Sequence, residues 1–267
     1  MEQPKNNLKI VADKKRARML LPNMLTLIGV CIGLTSIRFA VDGRVELAII
    51  AIMCAALIDG LDGRIARLIK GTSKVGKELD SLTDMISFGV APAFIMYFWK
   101  LNTLGRFGWL LGLVFVICVA LRLARFNINS NQEPSWRDSF FEGVPSPAGG
   151  ILVLTPLIIS LSGFDFFQSN YDIIVPIFFV TTSFLLISKF PSYSFKKIVI
   201  RRRTTIFLLF GIVLFFGLLL VYTFNVIAIS TIVYLSLLPI SYVHYQKIKN
   251  KHEKDKLQDE DDLEDVL

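Results

Sequence analysis

Cysteine and histidine are scarce in this chain, which has three cysteines and two histidines among 267 residues. The cysteines, Cys31, Cys54 and Cys118, are scattered through apolar runs, so the sequence indicates neither a disulfide framework nor a zinc site. Charged residues make up 19% of the chain against 53% hydrophobic residues, a balance that excludes a disordered protein. The first apolar run lacks a small-residue cleavage pattern, so we expect it to stay as a membrane anchor.

The most prominent feature of the sequence is its long apolar runs. Runs of roughly twenty residues match the thickness of a bilayer core. The predicted spans are 21–41, 47–69, 81–99, 107–126, 147–163, 172–190, 205–222 and 226–245. The fold class predicted from them is an all-α integral membrane protein, a polytopic bundle of about eight transmembrane helices.

Lysine and arginine are distributed unevenly along these spans. The segments on the N-terminal side of the membrane carry most of them, whereas the opposite loops carry only Arg44, Lys100 and Arg106. Because cytoplasmic loops hold the excess of positive charge, both termini are predicted to be cytoplasmic. The formal net charge of +7 follows from this topology and favours contact with anionic membrane lipids. The basic residues do not form a separate domain, so the sequence does not indicate a nucleic-acid-binding protein.

Three segments follow from the same pattern. Residues 1–20 form a basic cytoplasmic or interfacial segment, and residues 21–245 form the transmembrane domain, which would hold any catalytic site. Residues 246–267 are rich in Lys, Glu and Asp and have too little apolar surface to bury. We therefore expect a charged, disordered cytoplasmic tail after the last span.

Four aspartates interrupt the apolar background between the second and third predicted spans. Residues three or four apart share one helical face, so Asp59 pairs with Asp62, and Asp80 pairs with Asp84. The turn-forming residues 71–73 let the two helices run antiparallel, so both pairs should meet at the cytoplasmic mouth. Unpaired charge is expensive there, and an all-oxygen donor set suits Mg²⁺ or Mn²⁺.

Two other interpretations of the aspartates stay open on the residues alone. In one, they form an ion-pair network with Arg64, Arg67 and Lys77. In the other, they line a path for cation transport, since acidic residues within membranes also mark ion pathways. His244 and His252 lie far from the aspartates in sequence, so we do not expect them to be metal ligands.

The segment from Asp59 to Asp84 reads D-x-x-D-G-x-x-A-R, eight residues, then G-x-x-x-D-x-x-x-D, and it resembles the signature of the CDP-alcohol phosphatidyltransferases. The fixed positions are Asp59, Asp62, Gly63, Ala66, Arg67, Gly76, Asp80 and Asp84. The resemblance implies a six-helix core and two Mg²⁺ or Mn²⁺ ions, held by the four aspartates, that bind the diphosphate of a CDP-linked lipid. It also implies that Asp84 is the general base and that Gly63, Ala66, Arg67 and Gly76 shape the nucleotide pocket.

Three further stretches look like the phosphatidylserine synthase branch of that family. They are D-S-L-T-D-M-I-S-F-G-V-A-P-A from Asp80, R-L-A-R-F-N from Arg122 and F-E-G-V-P-S-P-A from Phe141. The likeness implies transfer of a phosphatidyl group from CDP-diacylglycerol to L-serine, giving phosphatidylserine and CMP. The alternative is a sister reaction with glycerol 3-phosphate or inositol phosphate as acceptor.

The acceptor would be bound by Arg122, Arg125 and Ser87. Arginine pairs with carboxylate or phosphate through a fixed fork of donors, and the two arginines lie three apart on one helix. They suit anchoring of that helix at the membrane interface equally well.

Gly29 and Gly33 stand four apart in the first predicted span. Such a small-x-x-x-small face lets helices approach closely, within one chain or between two. The family likeness suggests a homodimer, and the sequence leaves both uses of this face open.

Overall fold

A computed structural model describes residues 5–69, 73–129, 140–163, 170–193 and 202–264. The α-helices are α1 (Lys5–Val41), α2 (Val45–Leu68), α3 (Lys74–Asp84), α4 (Ala91–Trp99), α5 (Arg106–Asn129), α6 (Ser146–Leu161), α7 (Tyr171–Ile187), α8 (Arg202–Val221) and α9 (Thr223–Glu264). A π-helical turn, Met85–Val90, joins α3 to α4, and a 3-10 turn, Leu101–Leu104, follows α4. Two short antiparallel strands, β1 (Phe140–Glu142) and β2 (Pro191–Tyr193), pair with Phe141 opposite Ser192.

Each predicted span coincides with a helix, and the third coincides with the continuous run from α3 through the π-helical turn to α4. The stretches that are long and apolar enough to cross a membrane are Leu20–Val41, Val75–Trp99, Arg106–Ile128 and Thr223–Ile248. Shorter apolar helices are Ser146–Leu161, Tyr171–Ile187 and Thr205–Val221. The predicted class, an all-α polytopic membrane protein, is confirmed.

The chain forms two compact units. The first comprises residues 1–131 and 145–187, and the second comprises residues 132–144 and 188–267. In the first unit α1 packs against α2, α3 and α4, while α5 packs against α7, which also packs against α6. Phe115 of α5 and Phe179 of α7 are fully buried, with ring centroids 5.6 Å apart.

The π-helical turn lies at the centre of the first unit, where α1, α5 and α6 all contact it. Glycine permits the close approach of α1 and of α6. A side chain at Gly33 of α1 would collide with Ser87, and a Cβ atom at Gly150 of α6 would lie 3.0 Å from the carbonyl oxygen of Phe88. The small-residue face of α1 is therefore used for packing within the chain.

In the second unit, α9 packs against both α8 and β2. The ring of Phe190, just before β2, stacks on Tyr242 of α9 with centroids 5.1 Å apart. Large apolar side chains such as Phe207, Phe210 and Leu220 are exposed along α8, as they are on a helix that faces lipid.

Both terminal segments are helical where the structure describes them. Helix α1 runs without a break from Lys5 into the first span, and α9 continues to Glu264, where composition predicts a disordered tail. The boundaries at residues 20 and 245 stay predictions.

Candidate active site

The four aspartates lie on two helices that both pack against α1. Asp59 and Asp62 belong to the second half of α2, and Asp80 and Asp84 belong to α3. Ser73 caps the first turn of α3, because its hydroxyl accepts a hydrogen bond from the backbone N–H of Gly76 at 2.9 Å. This cap fixes where α3 begins.

Three of the four carboxylates converge. Asp59, Asp62 and Asp80 each offer an oxygen, and these oxygens all lie within 4.8 Å of one another. Asp62 is the most deeply placed, with 3% of its surface exposed, whereas Asp59 and Asp80 are half-buried. We call these residues the three-aspartate cluster.

Asp84, the last residue of α3, borders the cluster rather than completing it. Its carboxyl group lies within hydrogen-bonding reach of that of Asp59. Its Oδ1 atom is buried and has no hydrogen-bond partner among the residues that the structure describes. Arg122 of α5 lies within electrostatic range of the same carboxyl group. Asp84 thus has an acceptor oxygen that these residues do not use.

The chemistry of this donor set fits a hard divalent cation. The donors are all carboxylate oxygens, which Mg²⁺ and Mn²⁺ prefer, and like charges this close repel one another unless a cation compensates them. A buried carboxylate oxygen without a donor, such as Oδ1 of Asp84, is a further sign of a missing positive partner. The residues present are therefore suited to bind a metal ion.

The alternative of an ion-pair network gains little from the arginine that follows the cluster. Arg67 is exposed, and its Nε donates to the carbonyl oxygen of Gly63 on its own helix at 3.0 Å. The ion pairs seen in the described part of the chain join Arg38 with Asp42 and Lys100 with Asp172, neither of which involves the cluster.

The two glycines of the signature have different surroundings. Apart from the adjacent residues and the backbone of α2 itself, no atom of the described residues lies within 4 Å of the position that a Cβ atom would take at Gly63, so α2 has an open face next to Asp62. At Gly76 the same position is 2.8 Å from Oδ1 of Asn23 and 3.0 Å from the hydroxyl of Ser73. Gly63 therefore leaves room beside the cluster, whereas Gly76 admits a side chain from α1.

The R-L-A-R-F-N stretch connects the segments that resemble the serine branch. A terminal nitrogen of Arg122, Nη1, donates to the hydroxyl of Ser146, in the P-S-P run that opens α6. The amide of Asn127 donates to the hydroxyl of Ser81 on α3 at 2.9 Å. Three stretches that are far apart in sequence thus meet beside Asp84.

Two of the residues predicted to bind the acceptor make contacts within the fold. Nη1 of Arg125 donates to the carbonyl oxygen of Ile187, the last residue of α7, at 2.7 Å. Ser87 is buried in the π-helical turn, and its hydroxyl donates to the carbonyl oxygen of Gly29 at 3.4 Å. The structure places both side chains against neighbouring helices, whereas Arg122 also interacts electrostatically with Asp84.

Thr26 and Asn23 of α1 are site residues that the sequence reasoning missed. The hydroxyl of Thr26 donates to Oδ2 of Asp62 at 2.8 Å, and Asn23 reaches Gly76. The signal was present in the run L-P-N-M-L-T, which puts two polar residues three apart on one face of an otherwise apolar span.

Comparison with protein families agrees with this geometry. The model of the family described as CDP-alcohol phosphatidyltransferase matches residues 19–184, which include the four aspartates and all of α2 to α6. The chain belongs to the CDP-alcohol phosphatidyltransferase family. CDP-alcohol phosphatidyltransferases generally depend on a divalent metal ion, and among the described residues the three-aspartate cluster suits one.

Curated relatives within the CDP-alcohol phosphatidyltransferases carry the name CDP-diacylglycerol--serine O-phosphatidyltransferase. The Mycobacterium leprae protein is 43% identical over 176 residues, which cover 64% of this chain and 57% of that protein. The Helicobacter pylori protein of strain 26695 is 37% identical over 179 residues, covering 67% and 74%. The Bacillus subtilis protein is 33% identical over 177 residues, covering 66% and 92%. The match thus spans less than two thirds of the length of the mycobacterial relative.

Proposed function

We propose that this chain transfers the phosphatidyl group of CDP-diacylglycerol to L-serine, forming phosphatidylserine and releasing CMP. The observation that carries the proposal is the convergence of Asp59, Asp62 and Asp80, whose oxygens lie within 4.8 Å in a member of this family. The choice of serine is supported by the names of the relatives and by the meeting of the serine-branch stretches at Arg122.

Asp59, Asp62, Asp80 and Asp84 hold the metal in this proposal, as two Mg²⁺ or Mn²⁺ ions. When bound, the ions would neutralise the diphosphate of the CDP-lipid and the charge on the departing CMP. Such a site near the membrane surface suits a substrate whose acyl chains stay in the bilayer while its diphosphate lies at headgroup depth.

The nucleotide end of the substrate lies over α2 in this proposal. The open face at Gly63 gives the diphosphate a close approach to Asp62, because a larger side chain would stand between them. Ala66 and Gly76 continue the shape of the pocket, and the exposed Arg67 contributes positive charge at its edge.

Asp84 is the general base of the proposed reaction. It takes the proton of the serine hydroxyl while that oxygen attacks the phosphorus atom on the lipid side of the diphosphate. The bond from this phosphorus to the bridging oxygen breaks, and CMP departs with that oxygen. The role is supported by the buried Oδ1 of Asp84, since an oxygen that accepts no hydrogen bond keeps its lone pairs for the proton.

Arg122 recognises the carboxylate of serine. A guanidinium group presents several donors in a rigid plane, and the contact with Ser146 fixes the orientation of that plane. The interaction of Arg122 with Asp84 supports this role, because the amino acid must place its hydroxyl beside the base. Arg125 and Ser87 would act indirectly, through the helices that they hold together.

The cluster opens to the cytoplasm in this proposal, with both termini on the same side. The excess of lysine and arginine in the segments on that side supports it. Serine and CMP would then exchange directly with the cytosol. The homodimer suggested by the family likeness is part of the same proposal.

The test is CMP release by the purified full-length chain in detergent with CDP-diacylglycerol. Serine, glycerol 3-phosphate and inositol phosphate are compared as acceptors with Mg²⁺ or Mn²⁺ present. We expect release only with serine, its loss on chelation, and its return when metal is restored. Release with glycerol 3-phosphate and not with serine would refute the serine assignment.

A matched pair of variants tests the cluster itself. Asp80→Asn should sharply lower CMP release at a limiting Mn²⁺ concentration, since it removes one of the converging carboxylates. Asp172→Asn is the control, because Asp172 pairs with Lys100 at 3.1 Å outside the cluster and should leave the activity unchanged. Equal activity in the two variants would exclude the cluster as the site of the reaction.

A further inference from the structure

One buried hydroxyl group on α1 reaches the three-aspartate cluster. Thr26 is 5% exposed, and its Oγ1 lies 2.8 Å from Oδ2 of Asp62, itself 3% exposed. The same Oγ1 lies 3.0 Å from the carbonyl oxygen of Pro22, one turn earlier on α1. The two side chains are 36 positions apart in sequence, so the contact depends on the packing of α1 against α2.

The hydroxyl has a single proton for these two acceptors. A hydrogen bond to an ionised carboxylate is about twice as strong as one between neutral groups, and the distance to Asp62 is also the shorter. The proton is therefore directed at Asp62. The carbonyl oxygen of Pro22 is an alternative acceptor for this proton if the carboxylate moves away.

A second contact from the same helix reaches the other half of the signature. The side-chain oxygen of Asn23 lies 2.8 Å from the position that a Cβ atom would take at Gly76, in the first turn of α3. Asn23 and Thr26 are three apart and so share one face of α1. One face of α1 thus touches both helices that carry the aspartates.

We propose that Thr26 is a positioning residue, which holds the carboxylate of Asp62 in the orientation that binds the metal ion. The inference rests on the proposed metal site and adds a residue outside the signature. A carboxylate that binds a metal is normally held by a hydrogen bond to one of its oxygens, because free rotation would otherwise have to be lost when the ion binds. Thr26 supplies that hydrogen bond through Oδ2 of Asp62.

Three variants separate the hydroxyl from the bulk of the side chain. Thr26→Val keeps the shape of threonine and removes the hydroxyl, whereas Thr26→Ser keeps the hydroxyl and removes a methyl group. Thr155→Val is the matched control, since Thr155 is also buried, in α6, and its hydroxyl donates to the carbonyl oxygen of Ile151 at 3.2 Å.

The measurement is Mn²⁺ binding by each full-length variant in detergent, followed by the paramagnetic resonance signal of free Mn²⁺, with thermal unfolding recorded alongside. We expect Thr26→Val to raise the dissociation constant about 10-fold, the lower end for loss of a hydrogen bond to a metal ligand. Thr26→Ser and Thr155→Val should bind Mn²⁺ like the unaltered chain. If Thr26→Val does not fold, Thr26→Ala makes the same comparison.

The outcomes distinguish this inference from the proposed function. Binding of Mn²⁺ by Thr26→Val as tightly as by the unaltered chain overturns the positioning role and leaves the metal site standing. A weakening in Thr26→Ser equal to that in Thr26→Val assigns the effect to packing and also overturns it. Failure of the unaltered chain to bind Mn²⁺ removes the metal site, and the inference with it.

Discussion

The guanidinium group of Arg122 donates a hydrogen bond to the hydroxyl of Ser146, and this contact ties α5 to the first turn of α6. Ser146 is fully buried, and Arg122 interacts electrostatically with Asp84 at the edge of the three-aspartate cluster. The contact therefore determines where a fixed positive charge stands relative to the proposed general base.

Replacing Arg122 by lysine should weaken the binding of serine. Lysine keeps the charge but loses the planar fork of donors, so it cannot hold both Ser146 and a carboxylate in one geometry. We expect the KM for serine to rise about 10-fold, the loss of one hydrogen bond to a charged group, with little change in the KM for CDP-diacylglycerol. Steady-state CMP release at varied serine measures this.

Arg125→Lys is the control for that experiment. Nη1 of Arg125 donates to the last carbonyl of α7, so its replacement should destabilise the fold by about 1–2 kcal/mol and leave the KM for serine unchanged. Thermal unfolding in detergent detects the first effect. A rise in the KM for serine equal to that of Arg122→Lys would contradict the division of roles between the two arginines.

Asp84→Asn should stop turnover while the chain still folds and still binds the CDP-lipid. The amide cannot accept the proton of serine, and loss of a general base costs about 10²–10⁴-fold in rate. Much of the CDP-diacylglycerol binding should remain in the purified variant at saturating Mn²⁺, because three of the four metal-binding aspartates are kept. A turnover number near normal in this variant would rule out Asp84 as the base.

Asp59→Ala and Asp80→Ala should weaken metal binding more than they lower the reaction rate at saturating metal. Each removes a carboxylate of the cluster, so saturation with Mn²⁺ should need a higher concentration. Activity titrated against Mn²⁺ should therefore shift to the right and recover in part at high metal. An unchanged metal requirement combined with reduced activity would argue that these residues do something other than bind the ion.

Gly63→Leu should block the CDP-lipid by bulk alone. In the described part of the chain, no other helix or loop comes within 4 Å of the new Cβ position, so the variant should fold. Binding of CDP-diacylglycerol should be lost while Mn²⁺ binding remains. Gly211→Leu on α8, which also meets no atom within 4 Å, is the control and should bind normally. Loss of Mn²⁺ binding in Gly63→Leu would mean that the substitution disturbs the aspartates themselves.

Two glycines of α1 should respond differently to alanine. A Cβ atom at Gly33 collides with Ser87 in the π-helical turn, whereas at Gly29 it lies 3.5 Å from Thr83, an ordinary contact. We expect Gly33→Ala to destabilise the chain by about 1–3 kcal/mol, the usual cost of overpacking. Gly29→Ala should be neutral or slightly stabilising, since alanine favours helix. Similar unfolding temperatures for the two variants would show that the π-helical turn shifts to accommodate the added methyl group at little cost in stability.

Much of the fold follows from local pattern. The run of apolar residues that ends at Val41 and the break before Ser146 each place a helix end within two residues of its observed position. The conformation of the segments before Leu20 and after Tyr245 was harder to predict. A helix in a charged terminal segment is stabilised by weak side-chain pairs and not by burial, so it leaves little signal in the sequence. The π-helical turn at Met85–Val90 was not predicted, since it depends on the close approach of α1, α5 and α6.

The sequence by itself determined the membrane class, the family and the four aspartates, because hydropathy and a spaced signature are properties of neighbouring residues. Only the tertiary structure decided that Asp84 stands beside the cluster instead of within it, that Arg122 faces Asp84 while Arg125 holds the end of α7, and that Thr26 reaches Asp62. These relationships join side chains on different helices. Their distances are set by how α1, α2, α3, α5 and α7 pack, which no spacing along one segment specifies.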